Sequence, residues 1–170
     1  MLPAPLSADG PYRIAVVCLG NICRSPMADV VLNARVSAAG LDDRVEVDSY
    51  GTAGWHVTKP MDNRAAATLT GAGYDATRHR ARQFTREVTG HDLVLAMDVS
   101  NHADLAAIDV PAERLRLFRT FDPAPDDESV PDPYYGGDEG FDHVLGIVER
   151  ASDAIVEQLP QLFSREEATE

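Results

Sequence analysis

A β-rich apolar run, Tyr12-Arg-Ile-Ala-Val-Val17, stops at the turn Leu19-Gly-Asn-Ile22 and gives way at once to a helical pattern opened by Ser25-Pro26. This junction constrains the fold more than any other stretch. A run so poor in polar residues predicts a strand buried on both faces, as in the centre of a parallel sheet. Ser25 is the expected N-cap with Pro26 at the first helical position, and Met27, Val30, Val31, Ala34 and Ala38 recur at helical spacing as far as Gly40. The alternation then repeats. Strands are predicted near 44–49, 92–97 and 114–118, and helices near 61–70, closed by Gly71 and Gly73, and near 100–107, stopped by Pro111. Strand followed by helix, again and again, argues for an α/β fold: a parallel sheet with helices on both faces and a site at the carboxyl ends of its strands.

A long loop dense in Asp and Pro follows, from Arg119 to Gly140, and such loops are often functional. The last helix is expected over roughly 141–163, with Pro160 bending it or ending it early. At 170 residues the chain suits one domain, 1–170, with 1–11 and 164–170 as loose tails. Its 28 acidic against 15 basic residues, a net charge of -13, oppose binding to nucleic acid or to anionic membrane. No run approaches the ~20 apolar residues of a membrane span, and the N-terminus lacks a basic region followed by an apolar one. Two cysteines, Cys18 and Cys23, make no disulfide framework, so a reducing cytoplasm is the expected compartment. The five histidines form no HExxH or close pair, and no metal site is expected.

Chemistry concentrates in Cys18-Leu-Gly-Asn-Ile-Cys-Arg24-Ser25, where a cysteine and an arginine are separated by five residues at a strand-to-helix junction. A loop of that length can curl so that its backbone N–H groups point inward as an anion nest, reinforced by the positive end of the helix that follows. Arg24 can fork two donors onto phosphoryl oxygens. Cys18 beneath the phosphorus would meet groups that all favour a thiolate. Ser25 has two possible parts, the helix cap and a hydrogen bond to that sulfur, and the cap is the expected one.

Val17-Cys18-Leu-Gly-Asn-Ile-Cys-Arg-Ser-Pro-Met-Ala28, with Asp132-Pro-Tyr-Tyr-Gly136 far downstream, resembles the low-molecular-weight protein tyrosine phosphatase family, bacterial type. The likeness extends through Asp48-Ser49, Trp55, His79-Arg-Ala-Arg-Gln83 and Met97-Asp-Val-Ser-Asn101. It implies a four-stranded parallel sheet in a flavodoxin-like, three-layer sandwich, no cofactor, and hydrolysis of phosphotyrosine through a cysteinyl-phosphate. Tyrosine-phosphorylated proteins would be the substrates and inorganic phosphate the product and inhibitor, for a monomer or weak dimer in bacterial signalling.

Expelling a phenolate requires a proton donor, and the loop offers Asp122, Asp126, Asp127 and Asp132; the resemblance selects Asp132, flanked by Pro131 and Pro133. Tyr134 and Tyr135 beside it are expected to desolvate its carboxyl. The resemblance further implies a phosphate loop of Leu19, Gly20, Asn21, Ile22, Cys23 and Ser25, pocket walls of Leu19, Ile22, Trp55 and Tyr134, and a supporting network of Asn21, Ser49 and His79. Cys23 could close a protective disulfide with Cys18. Tyr50, where the family has a small residue, is expected to reshape the loop near Trp55. Arsenate reduction would need further resolving cysteines, and a non-catalytic phosphotyrosine-binding module would have no use for both Cys18 and Asp132.

Overall fold

The computed structural model describes residues 1–88 and 90–167, with side chains as far as Ser164. Four strands, β1 (Tyr12–Cys18), β2 (Val45–Gly51), β3 (Leu93–Ala96) and β4 (Leu115–Leu117), alternate with helices α1 (Arg24–Ala38), α2 (Asn63–Gly71), α3 (Val99–Ala107) and α4 (Asp138–Glu167). The strands form one sheet in the order β2-β1-β3-β4, every pair parallel. The order reverses at β1, whose partners β2 and β3 lie on opposite sides, and this opens a crevice beyond the carboxyl ends of β1 and β3.

Side-chain alternation divides the core into two layers. Ile14, Val16, Leu93 and Leu95 face α1 and α4, where Met27, Val31, Phe141 and Val148 complete the larger cluster. Ala15, Val17, Val94 and Ala96 face the other way, onto Leu105 of α3 with Tyr50 and Phe84. Each large aliphatic side chain fully buried in this way contributes about 1.5–3 kcal/mol relative to exposure. β1 is therefore locked between neighbours on both edges and both faces, so its end, Cys18, is held on rigid backbone. Gly51 ends β2 directly beneath the phosphate loop: a Cβ there would stand 2.7 Å from the Leu19 carbonyl oxygen and 3.1 Å from the Asn21 nitrogen. Only glycine permits that approach.

Several boundaries differ from the sequence expectation. α1 starts at Arg24 with Cys23 as its N-cap residue, and no side chain caps it. Ser25, the expected cap, is the second helical residue and Pro26 the third, which still costs no hydrogen bond because first-turn N–H groups lack an intrahelical partner. α4 begins at Asp138 and runs through Pro160 to Glu167. Burial of Leu159, Leu162 and Phe163 on both sides of the proline holds the helix together, and the Ser164 hydroxyl donates back to the Pro160 and Gln161 carbonyls. Residues 168–170 of the expected C-terminal tail lie outside the described residues.

The segment before β1, expected to be loose, is tied down. Leu2 is buried in the larger core, the Tyr12 hydroxyl donates to the Pro3 carbonyl at 2.9 Å, and Arg114 donates to that of Ala4 at 2.8 Å. Isolated residues in a composition-poor tail gave no pattern by which these long-range contacts could be foreseen.

Candidate active site

A cleft of about 260 Å³ opens at the carboxyl end of β1 and is lined by Cys18, Leu19, Gly20, Ile22, Cys23, Arg24, Trp55, His56, Asp132, Tyr134 and Tyr135. Segments more than a hundred residues apart thus meet at one floor. The loop between β1 and α1 carries Asn21 in the left-handed region, φ 57°, a conformation asparagine tolerates better than most residues. Asn21 is fixed from three directions: its side-chain Nδ2 donates to Ser25 Oγ at 2.8 Å, its Oδ1 accepts the Arg82 N–H at 2.8 Å, and its carbonyl accepts His79 Nε2 at 2.6 Å. A carbonyl only accepts, so His79 carries its proton on Nε2. Burial holds the His79 imidazole below its ordinary pKa, and the bond to Asn21 only partly opposes that.

These bonds shape the surroundings of Cys18. Its sulfur lies 3.0 Å from Ser25 Oγ and accepts the Asn21 N–H at 3.3 Å. Ser25 Oγ also reaches the Tyr50 carbonyl at 3.2 Å, so one hydroxyl proton serves either the sulfur or that carbonyl. Having taken Asn21 Nδ2 as donor, the hydroxyl is oriented toward donating. Ser25 therefore acts on the sulfur and does not cap the helix. With no side-chain cap at Cys23, the first N–H groups of α1 remain for a ligand, whereas Asp62 and Asp98 cap α2 and α3.

Arg24 is nearly buried, at 3% exposure. Its Nη1 donates to Asp98 Oδ2 at 2.7 Å and to the Val130 carbonyl at 3.0 Å, while Nη2 lies 3.5 Å from Asp132 Oδ2. Burial works against the guanidinium charge, yet Cys18, Asp98 and Asp132 together outweigh it and hold the proton more firmly than in water. Cys23 is the opposite case. Burial first, then Asp62 and Cys18, pushes its thiol far up, so this second sulfur stays protonated. Asp132 accepts the Tyr134 N–H at 3.1 Å through Oδ1 and remains 38% exposed, so the tyrosine rings do not enclose it as expected.

Trp55 is 69% exposed, and with Leu19, Ile22 and Tyr134 it forms aromatic and aliphatic walls above the floor, with Tyr135 at the outer edge. Ser49 does not join the loop's network: it is buried on β2, and its hydroxyl faces the Asp29 carboxyl instead of the loop. Nor does Tyr50 reach Trp55's loop. Its ring lies in the smaller core, edge-on to Phe84 at 5.3 Å and beneath the Arg82 guanidinium at 4.5 Å. Sequence reasoning assigned no role to Asp98 or His56. A polar residue directly after a buried strand beside β1 was the available sign for Asp98; for His56, whose ring lies 3.1 Å from where a Cβ on Gly20 would stand, spacing offered none.

Similarity to known proteins runs along most of the chain. The sequence model described as low molecular weight phosphotyrosine protein phosphatase matches residues 13–164. A low molecular weight protein-tyrosine-phosphatase from Streptomyces coelicolor is 47% identical over 152 residues, 85% of this chain and 92% of that protein. Low molecular weight protein-tyrosine phosphatase A of Mycobacterium tuberculosis is 38% identical, with 91% of this chain and 96% of that one covered. Among solved structures, an Entamoeba histolytica protein tyrosine phosphatase with Hepes in its active site superposes with a TM-score of 0.83 at 29% identity, covering 88% of this chain and 97% of that one. The Escherichia coli K30 tyrosine phosphatase Wzb, in complex with sulphate, gives 0.75 at 30% identity, covering 87% and 98%. With a match running from the first strand into the last helix, the chain belongs to the low molecular weight phosphotyrosine protein phosphatase family.

Proposed function

We propose that the protein hydrolyses phosphotyrosine in two displacements at phosphorus, with Cys18 as nucleophile, Arg24 as phosphate clamp and Asp132 as general acid and base. The observation that carries this reading is the Cys18 sulfur, flanked by Ser25 Oγ at 3.0 Å and the Asn21 N–H at 3.3 Å, on the floor of a cleft whose wall bears Arg24 and Asp132. In the first step the sulfur lone pair forms an S–P bond as the P–O bond to the tyrosine ring breaks. Asp132 delivers its proton to the departing phenol oxygen. Phosphoryl oxygens take over Arg24 Nη2, which frees the Asp132 carboxyl for the leaving group. Loop amides and the open N-terminus of α1 take the remaining oxygens, and these contacts tighten as the phosphoryl group flattens.

In the second step water attacks phosphorus and gives a proton to Asp132, the S–P bond breaks, and inorganic phosphate leaves. Ser25 Oγ stabilises the expelled thiolate by donating to it. The walls of Trp55, Leu19, Ile22 and Tyr134 sandwich an aromatic ring at a depth that a phosphoserine side chain would not span. Tyrosine-phosphorylated proteins of the cytoplasm are the proposed substrates, with phosphate as a product inhibitor. Cys18→Ser is expected to abolish hydrolysis of an aryl phosphate while phosphate binding stays measurable by calorimetry. Asp132→Ala is expected to slow poor leaving groups by roughly 10²-fold or more and activated esters far less. Wild-type turnover in Cys18→Ser would remove the mechanism.

A further inference from the structure

Arg64 lies outside the cleft lining, yet it joins the two segments that form it. Its Nη2 donates to the Tyr134 carbonyl at 3.0 Å and its Nη1 to that of Gly136 at 3.3 Å. The guanidinium also lies over the rings of Tyr134, at 5.6 Å, and Phe141, at 4.7 Å. On its other side Nε and Nη2 donate to the two Asp62 oxygens, each at 3.1 Å, and the Asp62 backbone N–H donates to the carbonyl of Ile22 in the phosphate loop at 2.8 Å. A continuous run of bonds therefore leads from Ile22 through Asp62 and Arg64 to Tyr134. From Tyr134 it is one more bond to the acid, because the Tyr134 N–H holds Asp132 Oδ1.

The acid segment needs such an anchor. Its own backbone supplies one turn, Gly136 N–H to the Pro133 carbonyl at 3.1 Å, and Tyr135 is 92% exposed. Gly136 and Gly137 follow, residues whose conformational freedom lets the segment swing unless something outside it fixes the peptide planes. A planar guanidinium can grip two carbonyls and two carboxylate oxygens at once; an ammonium cannot.

We propose that Arg64 is a positioning residue for the proton-transfer step, seating the 132–136 segment over the phosphate loop so that the Asp132 carboxyl is aimed at the leaving oxygen. This rests on Asp132 being the general acid. Arg64 touches no substrate atom, and its effect appears only where the proton matters. A leaving group that departs unaided does not feel the aim of Asp132, whereas one that needs the proton does.

The test uses the full chain with Arg64→Ala and Arg64→Lys, assayed on phenyl phosphate and on 4-nitrophenyl phosphate. For Arg64→Ala the expected kcat loss is about 10-fold on the phenyl ester and less than about 3-fold on the nitrophenyl ester, with inhibition by inorganic phosphate unchanged. In an Asp132→Asn background the same substitution adds less than about 2-fold on either ester. Equal losses on both esters, or a full 10-fold loss added to Asp132→Asn, would overturn the proposal. If Arg64→Ala does not fold by circular dichroism, Arg64→Lys decides by the same criterion, a loss confined to the phenyl ester supporting the role and an equal loss refuting it. Asp132→Asn alone separates the two ideas: without discrimination between the esters, the reading of Asp132 fails, and with it the premise for Arg64.

Discussion

Strand β3 is bracketed by two aspartates that bind in similar ways and serve opposite ends of the sheet. At the base, Asp92 accepts the Leu6 N–H through Oδ1 at 2.6 Å and the Arg13 N–H through Oδ2 at 2.7 Å, while Arg114 donates to its carbonyl at 3.0 Å. At the top, Asp98 accepts the Asn101 N–H through Oδ1 at 2.7 Å and the Arg24 guanidinium through Oδ2 at 2.7 Å. Both carboxylates use both oxygens. The base end spends them on backbone donors and closes, tying the N-terminal segment to β1 and β3. The top end spends one on the Arg24 guanidinium and leaves that cation a second nitrogen, Nη2, turned toward Asp132 and the cleft. A parallel sheet is symmetric in its hydrogen bonding but not in its ends, and the difference lies in whether polar groups are consumed by the fold or held in place for a ligand.

The largest effect is expected from breaking the top end. Asp98→Asn keeps an acceptor for Asn101 and so preserves the cap of α3, but it removes the charge that fixes Arg24. We expect kcat/KM for an aryl phosphate to fall by roughly 10²-fold, the range seen when a transition-state donor loses its aim. Circular dichroism should remain that of the wild type. A variant with full activity would show that the Val130 carbonyl alone suffices to place the guanidinium, and the contrast between the ends would lose its functional half.

Breaking the base should cost stability and spare chemistry. Asp92 is 4% exposed, so Asp92→Ala leaves two amides with no partner, at a cost of about 2–4 kcal/mol and roughly 5–12 °C in Tm. At 25 °C its kcat should match the wild type. Loss of kcat in protein that is still folded would mean that the base transmits strain along β3 to Asp98, two residues beyond that strand's end, and the two ends would have to be treated as one unit.

The sequence is unequally legible along this same axis. β1, its turn and α1 could be read because a nearly continuous apolar run, a Gly-Asn turn and a Ser-Pro step act locally, and local signals survive without knowledge of the fold. The phosphate loop followed, since Cys18 and Arg24 lie in one short segment. Ser25 was misjudged because a serine before proline has the local look of a cap; only the folded loop shows its hydroxyl bound to the sulfur and to Asn21. The partners of Asp98, Arg64 and the Asp92 clasp were illegible for a different reason: each acts across more than 65 residues, and even where position marks the residue, as it does for Asp98 after a buried strand, nothing nearby announces what it binds. The early end of Pro160's helix failed on the same ground, tertiary burial of Leu162 and Phe163 outweighing a local breaker.

The smallest effect is expected from pH, and it should act on the top end through His79. Burial, with Arg82 and Arg80 nearby, holds this imidazole below the ordinary histidine value of about 6.5, against the bond to the Asn21 carbonyl. In the unfolded chain the ring takes up its proton at ordinary pH, while in the fold it resists, so between the two values the unfolded state binds more protons. Stability then rises with pH across that window and is lost as pH falls from about 6.5 toward the lower, folded value. His79→Gln retains an N–H donor for Asn21 but cannot titrate. Thermal melts of wild type and His79→Gln should therefore run parallel above pH 7 and separate below 6.5, the wild type falling faster. Coincident melts across the whole range would mean that the ring titrates alike in the folded and unfolded states.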